Sequence, residues 1–283
     1  MERRPGLVVK NAPMVRASVA ALKRVGVTKR SPHRNLYHAC TQKTASQWFR
    51  QLFTNAAVFD YTGLRVVPYT GLEDAGGIGL RYATITKPFP RNSVGAHLYV
   101  DRSTYDAIPK PGSYKTFFVM RDPRDIVVSW YFHARSPRTE NKGPIPLLRR
   151  AIENRNFEDG MRSVIDEVNA WGTFDAAVSW LQADPDPRVA VYRYEDLVAD
   201  NRSFVTQLFA HLDIAMPAET VDDLVERFAF ERLSGGRRPG DEDSDAHLRK
   251  GVAGDWRNHF TPTLAEYFQE VTSDVTDTLD YPS

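Results

Sequence analysis

The most constraining stretch of this chain is Leu36-Tyr37-His38-Ala39-Cys40-Thr41-Gln42-Lys43-Thr44-Ala45-Ser46-Gln47-Trp48-Phe49-Arg50-Gln51-Leu52-Phe53. It opens as a short apolar run, crosses a polar turn at Thr41 to Ser46, and continues with Trp48 paired to Leu52 and Phe49 to Phe53 at helical spacing. A strand, a tight turn and a helix start leave free N–H groups and the positive end of the helix dipole aimed at the turn. Lys43, Thr44 and Ser46 add donors there, so the stretch predicts an anion cradle. The nucleotide-binding pattern G-x-x-x-x-G-K-S/T is missing, and the turn contains no glycine. Taken alone, a Lys-Thr at a helix start is more often an ordinary cap.

Two later stretches sharpen the reading. Phe117-Phe118-Val119-Met120-Arg121-Asp122-Pro123-Arg124-Asp125-Ile126-Val127-Val128-Ser129 repeats the order of apolar strand, polar turn and helix. Close to the C-terminal end stands Arg249-Lys250-Gly251-Val252-Ala253-Gly254-Asp255-Trp256-Arg257-Asn258-His259-Phe260-Thr261. In this order and spacing the three resemble the signature of the sulfotransferases that use 3′-phosphoadenosine-5′-phosphosulfate (PAPS), from about residue 35 onward. The resemblance implies a P-loop-NTPase-like sulfotransferase fold, PAPS as donor, adenosine 3′,5′-bisphosphate (PAP) as product, and no metal. It places Lys43, Thr44, Ala45, Ser46 and Gln47 on the 5′-phosphosulfate, and Arg121, Ser129, Arg249, Lys250 and Gly251 on the 3′-phosphate. Trp48, Tyr194 and Phe230 fall where the family contacts the nucleotide, although core packing is an equal reading of Trp48 and Phe230. The family sets a glycine after the Lys-Thr pair. Here it is Ala45, whose Cβ disfavours a positive φ.

An acceptor attacking sulfur must shed a proton, so a general base is expected. His97, in Val94-Gly95-Ala96-His97-Leu98-Tyr99-Val100, occupies the segment that most resembles the family's base-bearing strand, with Gly95 where the family has a lysine. Lys43 and His97 are therefore the expected catalytic pair. His38 reads as a strand residue, and His133, His211, His247 and His259 as surface or capping groups. Arg121 and Arg124 compete for the second loop, the alternative for either being an ion pair with Asp122 or Asp125.

Composition narrows what else the chain can be. Its 283 residues are 42% hydrophobic, enough for a sizeable core, and strand-like and helix-like segments alternate. A single α/β domain over 35–283 is expected, with a central parallel sheet and helices on both faces. The one cysteine, Cys40, rules out an internal disulfide framework and suits a reducing, cytoplasmic setting as a buried thiol. No run of about 18 apolar residues is present. Residues 1–34 hold nine Lys or Arg against Glu2 alone, a balance of +8, which leaves −7 for the rest of a chain of net charge +1. The main body thus lacks the broad basic field that nucleic acid needs. Within that basic arm Met14 to Val25 can form an amphipathic helix touching an anionic membrane surface or a partner, or the arm is solvated.

Further along, strands are expected at Arg65–Tyr69, Arg81–Thr86, Thr116–Met120 and Arg188–Tyr192, with loops at 62–80 and 135–160 shaping an acceptor pocket. A long helix is expected over Met161–Leu181, and shorter ones at Leu147–Glu153, around Phe204–Leu212 and around Val221–Phe228. Leu233 to Ala246 reads as a lid-like loop, and a last helix starts at Thr261 with an apolar stripe from Leu264 to Val275. Arg257 to Glu266 resembles the dimer segment of cytosolic family members, so either a monomer or a homodimer is expected. The expected function is sulfuryl transfer from PAPS to a hydroxyl or amine of a small-molecule, lipid or sugar acceptor. The rivals are a P-loop-type ATP-dependent kinase and a catalytically silent nucleotide- or membrane-binding module.

Overall fold

In the computed structural model, which describes residues 31–68, 85, 87–110 and 112–282, the first apolar run forms strand β1 (Asn35–Cys40), buried along its whole length. Burial on both faces is what a central strand of a parallel sheet requires. The other strands are β2 (Arg65–Pro68), β3 (Ser93–Tyr99), β4 (Tyr114–Met120) and β5 (Val189–Arg193). They lie in the order β2-β3-β1-β4-β5 and every pairing is parallel. The expected parallel sheet is therefore present. The arm up to residue 30, with its Met14–Val25 helix, and the strand at Arg81–Thr86 apart from Ile85, lie outside the described residues.

One face of the sheet carries Leu36, Val94, Phe117 and Val119, covered by helices α1 (Ser46–Thr54) and α2 (Ala56–Thr62) and by α9 (Asn201–His211) and α10 (Ala218–Arg227). The opposite face carries Tyr37, Ala39, Leu98 and Phe118. It is covered by α4 (Pro123–Arg135), α6 (Phe157–Ala170), α7 (Thr173–Leu181) and α12 (Pro262–Thr272). Short helices α3 (Arg102–Ala107), α5 (Ile145–Ile152), α8 (Tyr194–Ala199), α11 (Phe230–Leu233) and α13 (Val275–Thr278), with a 3-10 turn at Asp255–Asn258, complete the set among the described residues.

The helix expected over Met161–Leu181 is two helices. Gly172 takes a left-handed φ of 74° and breaks it, so that α7 turns onto the sheet. The last helix breaks similarly at Ser273 and Asp274, with φ 52° and 56°, which moves Val275 from the stripe of α12 into α13. The start of α12 follows the sequence: Thr261 caps it, its side chain accepting from Leu264 N, and Pro262 opens the first turn.

The chain order explains where a ligand would sit. From β1 the chain moves to β2, returns to β3, and crosses β1 to reach β4, so connections leave β1 on both sides. Such a switch point opens a crevice beyond the C-terminal ends of the strands. Residues 41–48, following β1, and Arg121, following β4, lie at that edge.

Candidate active site

A cleft of about 1350 Å³ opens at this edge. Among the described residues its lining includes Lys43, Ala45, Ser46, Gln47, Trp48, His97, Arg121, Ser129, Tyr194, Phe230, Arg249, Lys250 and Gly251. Three segments far apart in sequence thus meet on one surface. Among the described residues its only carboxylate is Glu231, against six Lys or Arg side chains. Such a lining concentrates positive potential inside a low-dielectric crevice.

The first loop is built by two unusual backbone conformations. Lys43 and Ala45 both adopt left-handed φ, 66° and 61°, so the turn tightens directly into α1. Ala45 is the N-cap yet offers no side-chain cap, which leaves the first N–H groups of α1 without one. The expectation that Ala45 would resist a positive φ is overturned: the loop takes the glycine-like shape and accepts the strain. A left-handed alanine costs about 1–2 kcal/mol. Ala45→Gly should therefore raise unfolding stability by about 1 kcal/mol and the melting temperature by about 2–4 °C, readable by calorimetry. An unchanged or lower melting temperature would show that Ala45 carries no strain.

Thr44 does not reach the cleft with its hydroxyl. The side chain is buried, and Oγ1 donates to Thr41 O at 2.7 Å, closing the turn from inside. That corrects its expected place among the side-chain donors. Ser46 shares a 2.8 Å hydrogen bond with the Tyr99 hydroxyl, which pins the start of α1 to β3. Lys43 lies against the Trp130 ring, with Nζ 5.0 Å from its centroid. Burial, and then the charges of Arg121 and Arg249, lower its pKa to about 7.

Arg121 and Arg124 each pair with an acid at the start of α4, Arg121 with Asp125 at 3.4 Å and Arg124 with Asp122 at 2.8 Å, but only Arg121 lines the cleft. Arg124 turns away from the cleft: it forms a buried pair with Asp122 and lies 3.5 Å over the centre of the Trp256 ring. Arg121 faces the cleft, donates to Lys43 O at 3.1 Å, and lies 4.3 Å from the centre of the Tyr194 ring. Its Nε is buried without a partner among the described residues, so the guanidinium has donor capacity to spare. Ser129, two turns into α4, also lines the cleft and does not point to bulk solvent.

The C-terminal segment is held by two acids that sequence reasoning missed. Buried Asp125 accepts from Gly254 N at 2.8 Å and Trp256 N at 2.9 Å, tying the helix after the second loop to this segment. Buried Asp255 accepts from Arg249, Lys250, Asn258 and His259. Burial alone would raise its pKa; those donors outweigh it and hold the carboxyl far below the usual range. Arg249 also meets Glu242 at 2.6 Å. Gly251 has φ 67°, and a Cβ there would come within 2.2 Å of the Phe230 ring, so only glycine lets this backbone close on that ring. Arg237, also missed, donates to the carbonyls of Leu248 and Arg249 and shapes the loop ahead of Arg249. No sequence spacing signals Arg237, because its partners are set by the loop's fold.

Trp48 lines the cleft and packs at once: Nε1 donates to Phe228 O at 2.9 Å while the ring edges onto Phe49. Cys40 is buried as expected. His133 is half-buried and not a surface group, whereas His247 is exposed, as expected. Their rings lie 5.9 Å apart and both line the cleft. Burial, then Lys43, lowers His133 to about 3 and His247 in the same direction.

His97 also lines the cleft and has an irregular backbone, with φ 34°. The pairing of β1 with β3 matches Tyr37 to Gly95 and then Ala39 to Leu98, so two residues of β3 oppose His38 alone. This bulge re-aims His97, as bulges near functional sites do. Burial, then the charge of Arg50, lowers its pKa to about 4, so the ring is neutral at pH 7.

Comparison with known proteins identifies the family. A family model described as a sulfotransferase domain matches residues 90–280, two-thirds of the chain. The matched span contains His97, Arg121, Ser129 and Arg249-Lys250-Gly251, and leaves the Lys43 loop outside it. Sulfotransferase 1E1 of Rattus norvegicus is 26% identical over 167 residues, covering 55% of this chain and 52% of that protein. Sulfotransferase 6B1 of Danio rerio is 27% identical over 184 residues, covering 64% and 58%. The chain thus spans about half the length of these curated relatives. In fold, it resembles retinol dehydratase solved with androsterone and the inactive cofactor PAP, at a TM-score of 0.58 and 19% identity, over 93% of this chain and 87% of the other. Mouse sulfotransferase SULT7A1 complexed with PAP gives a TM-score of 0.55 at 15% identity, over 89% and 87%.

Proposed function

Because the chain belongs to the sulfotransferase domain family, we propose that it transfers a sulfuryl group from PAPS to a hydroxyl or amine of a small-molecule, lipid or sugar acceptor. The observation that carries this is the convergence of Lys43, Arg121, Ser129, Arg249, Lys250 and Gly251, from three distant segments, on one cationic cleft. The residues fit a doubly phosphorylated adenine nucleotide. Arg121 has an unpartnered buried Nε, Gly251 allows close backbone approach, and Trp48, Tyr194 and Phe230 offer ring faces.

When bound, the donor supplies the sulfuryl group and its phosphate leaving group. The protein's part is positioning and charge. Backbone N–H groups of Ala45, Ser46 and Gln47, with Lys43, would hold the 5′-phosphosulfate. Arg121, Ser129, Arg249 and Lys250 would hold the 3′-phosphate, in competition with Glu242, which is less buried than Asp255 and sits on the loop ahead of Arg249. Neutral His97 would take the proton of the acceptor hydroxyl. Retinol and androsterone, bound by the retinol dehydratase structures, are small molecules with room requirements that a cleft of this size meets. The basic arm of residues 1–34 as a peripheral membrane contact, and Arg257 to Glu266 as a dimer segment, are parts of the same proposal. Sedimentation with anionic liposomes and analytical ultracentrifugation test them.

The first test is nucleotide preference. The protein should bind PAP more tightly than AMP by about 10²-fold or more, since charge-assisted hydrogen bonds contribute about 1.5–3 kcal/mol each and at least two would be lost. Titration calorimetry measures both. Equal affinities would leave the cluster around Arg121 and Arg249 without the assigned task.

A further inference from the structure

His38 has no role in the proposed site, yet it is the least comfortable side chain near it. It is fully buried in β1, its ring stacks on Phe117 at 4.5 Å, and Phe49 lies 4.8 Å away. Neither ring nitrogen has a hydrogen-bond partner among the described residues. An unpaired buried polar group is destabilising, and a phenylalanine would make the same stack without that cost. Packing therefore does not explain a histidine here.

The bulge in β3 supplies an explanation. Val94 and Leu98, four residues apart, would share a sheet face in a regular strand. Instead Val94 packs with Leu36 and Phe117, and Leu98 with Tyr37 and Ala39. The strand changes face between them, and the residues at the change, Ala96 and His97, are the two opposing His38. His97 thereby comes to the α1 side, where Arg50 is its charged neighbour and Tyr99, bonded to Ser46, lies 5.4 Å from its ring. His38, under Phe49 of α1, is on that same side. The Nδ1 atom of His97 is itself buried without a partner among the described residues, while Nε2 is not among the buried unpartnered atoms. Two neighbouring imidazoles on adjacent strands thus hold three orphaned nitrogens, with no direct hydrogen bond between the rings.

We propose that His38 is the positioning residue of His97: Nδ1–H of His97 donates to one buried water, which donates to the unprotonated nitrogen of His38. Buried waters characteristically join polar groups left unpaired in this way. The bond fixes the His97 tautomer, because the nitrogen that carries the proton is set by the partner of the other. It leaves the Nε2 lone pair facing the cleft, where a base must present it. The inference rests on the reading of His97 as the base, but the tautomer is measurable without activity.

Two-bond ¹H–¹⁵N spectra of histidine-labelled protein, with His97 assigned by its loss in His97→Ala, should show Nδ1 protonated and Nε2 bare. In His38→Phe this should give way to a mixture of tautomers. That variant should keep or gain thermal stability, and its kcat should fall about 10- to 100-fold, the scale of losing an outer-shell partner of a functional histidine, at unchanged KM. His38→Gln, which can still accept from the water, should recover most of the loss; if His38→Phe does not fold, the wild-type tautomer decides alone. An unchanged His97 tautomer in folded His38→Phe, or a wild-type His97 protonated on Nε2, overturns the proposal. A fully active His97→Ala would instead overturn the reading of His97 as base, while the tautomer result still decides the contact.

Discussion

Lys43→Ala should lower turnover by about 10²–10³-fold, the scale seen when one preorganised charge-stabilising group is removed. The expectation follows from where Lys43 stands. It leaves the turn with a left-handed backbone, its ammonium lies against Trp130, and it interacts electrostatically with Arg121, Arg249, His133 and His247. Burial and the two arginines lower its pKa to about 7 in the free protein, so near pH 8 most of it is uncharged. A polyanion reverses the sign of that environment and favours the protonated form. Binding PAP near pH 8 should then take up a proton, and affinity should fall as pH rises from 7 to 9. Calorimetry in buffers of different ionisation enthalpy reads the proton count. Lys43→Ala should flatten the pH dependence. Turnover within a few-fold of the unmodified protein would remove Lys43 from the chemistry.

His97→Ala should depress turnover by about 10²–10⁴-fold, the range for a general base, and leave PAP affinity nearly unchanged. The loss should shrink for acceptors whose hydroxyl is already acidic, since they need less help in shedding the proton. The pH profile carries an independent sign. Burial and the Arg50 charge hold His97 near a pKa of about 4, and a base is lost only below its own pKa. The limb of kcat/KM due to His97 should thus stay level from pH 7 to about 5 and fall only near 4. A series of substituted phenols, or of whichever acceptors prove active, measures both. A defect independent of acceptor pKa, or one that appears in nucleotide binding, would make His97 a structural residue.

Much of the fold was legible because periodicity reports burial directly. The apolar runs at 36–40, 94–100 and 116–120 became the three inner strands, since buried parallel strands need continuous apolar residues on both faces. The expected strands at 65–69 and 188–192 became the half-exposed edge strands β2 and β5. The Thr261-Pro262 start of α12 was equally plain, because a cap is a local device. What failed was continuity: Gly172 and the pair Ser273-Asp274 end helices whose apolar spacing runs straight through them. The periodic pattern records which side chains are buried, but not that the backbone turned between them. Ala45 failed for a related reason. Local preference argued against a left-handed alanine, and the packing of α1 against β3 through Ser46 and Tyr99 holds it there regardless.

By itself the sequence determined the residue types and spacings that make an anion cradle, a second strand-turn-helix ending in Arg121, and a distant Arg249-Lys250-Gly251. Each is a local pattern readable within a few turns of chain. Only the tertiary structure decided that Arg121 and not Arg124 faces the cleft, because Asp122 and Trp256 claim Arg124. It alone disclosed Asp125 and Asp255 as the acids that seat the C-terminal segment. It alone brought His133 and His247 to the cleft and His38 beside His97. These facts depend on which strand neighbours which and on a one-residue bulge in their register. Pairing between segments some 60 residues apart is a property of the folded sheet, and no short window of sequence encodes it.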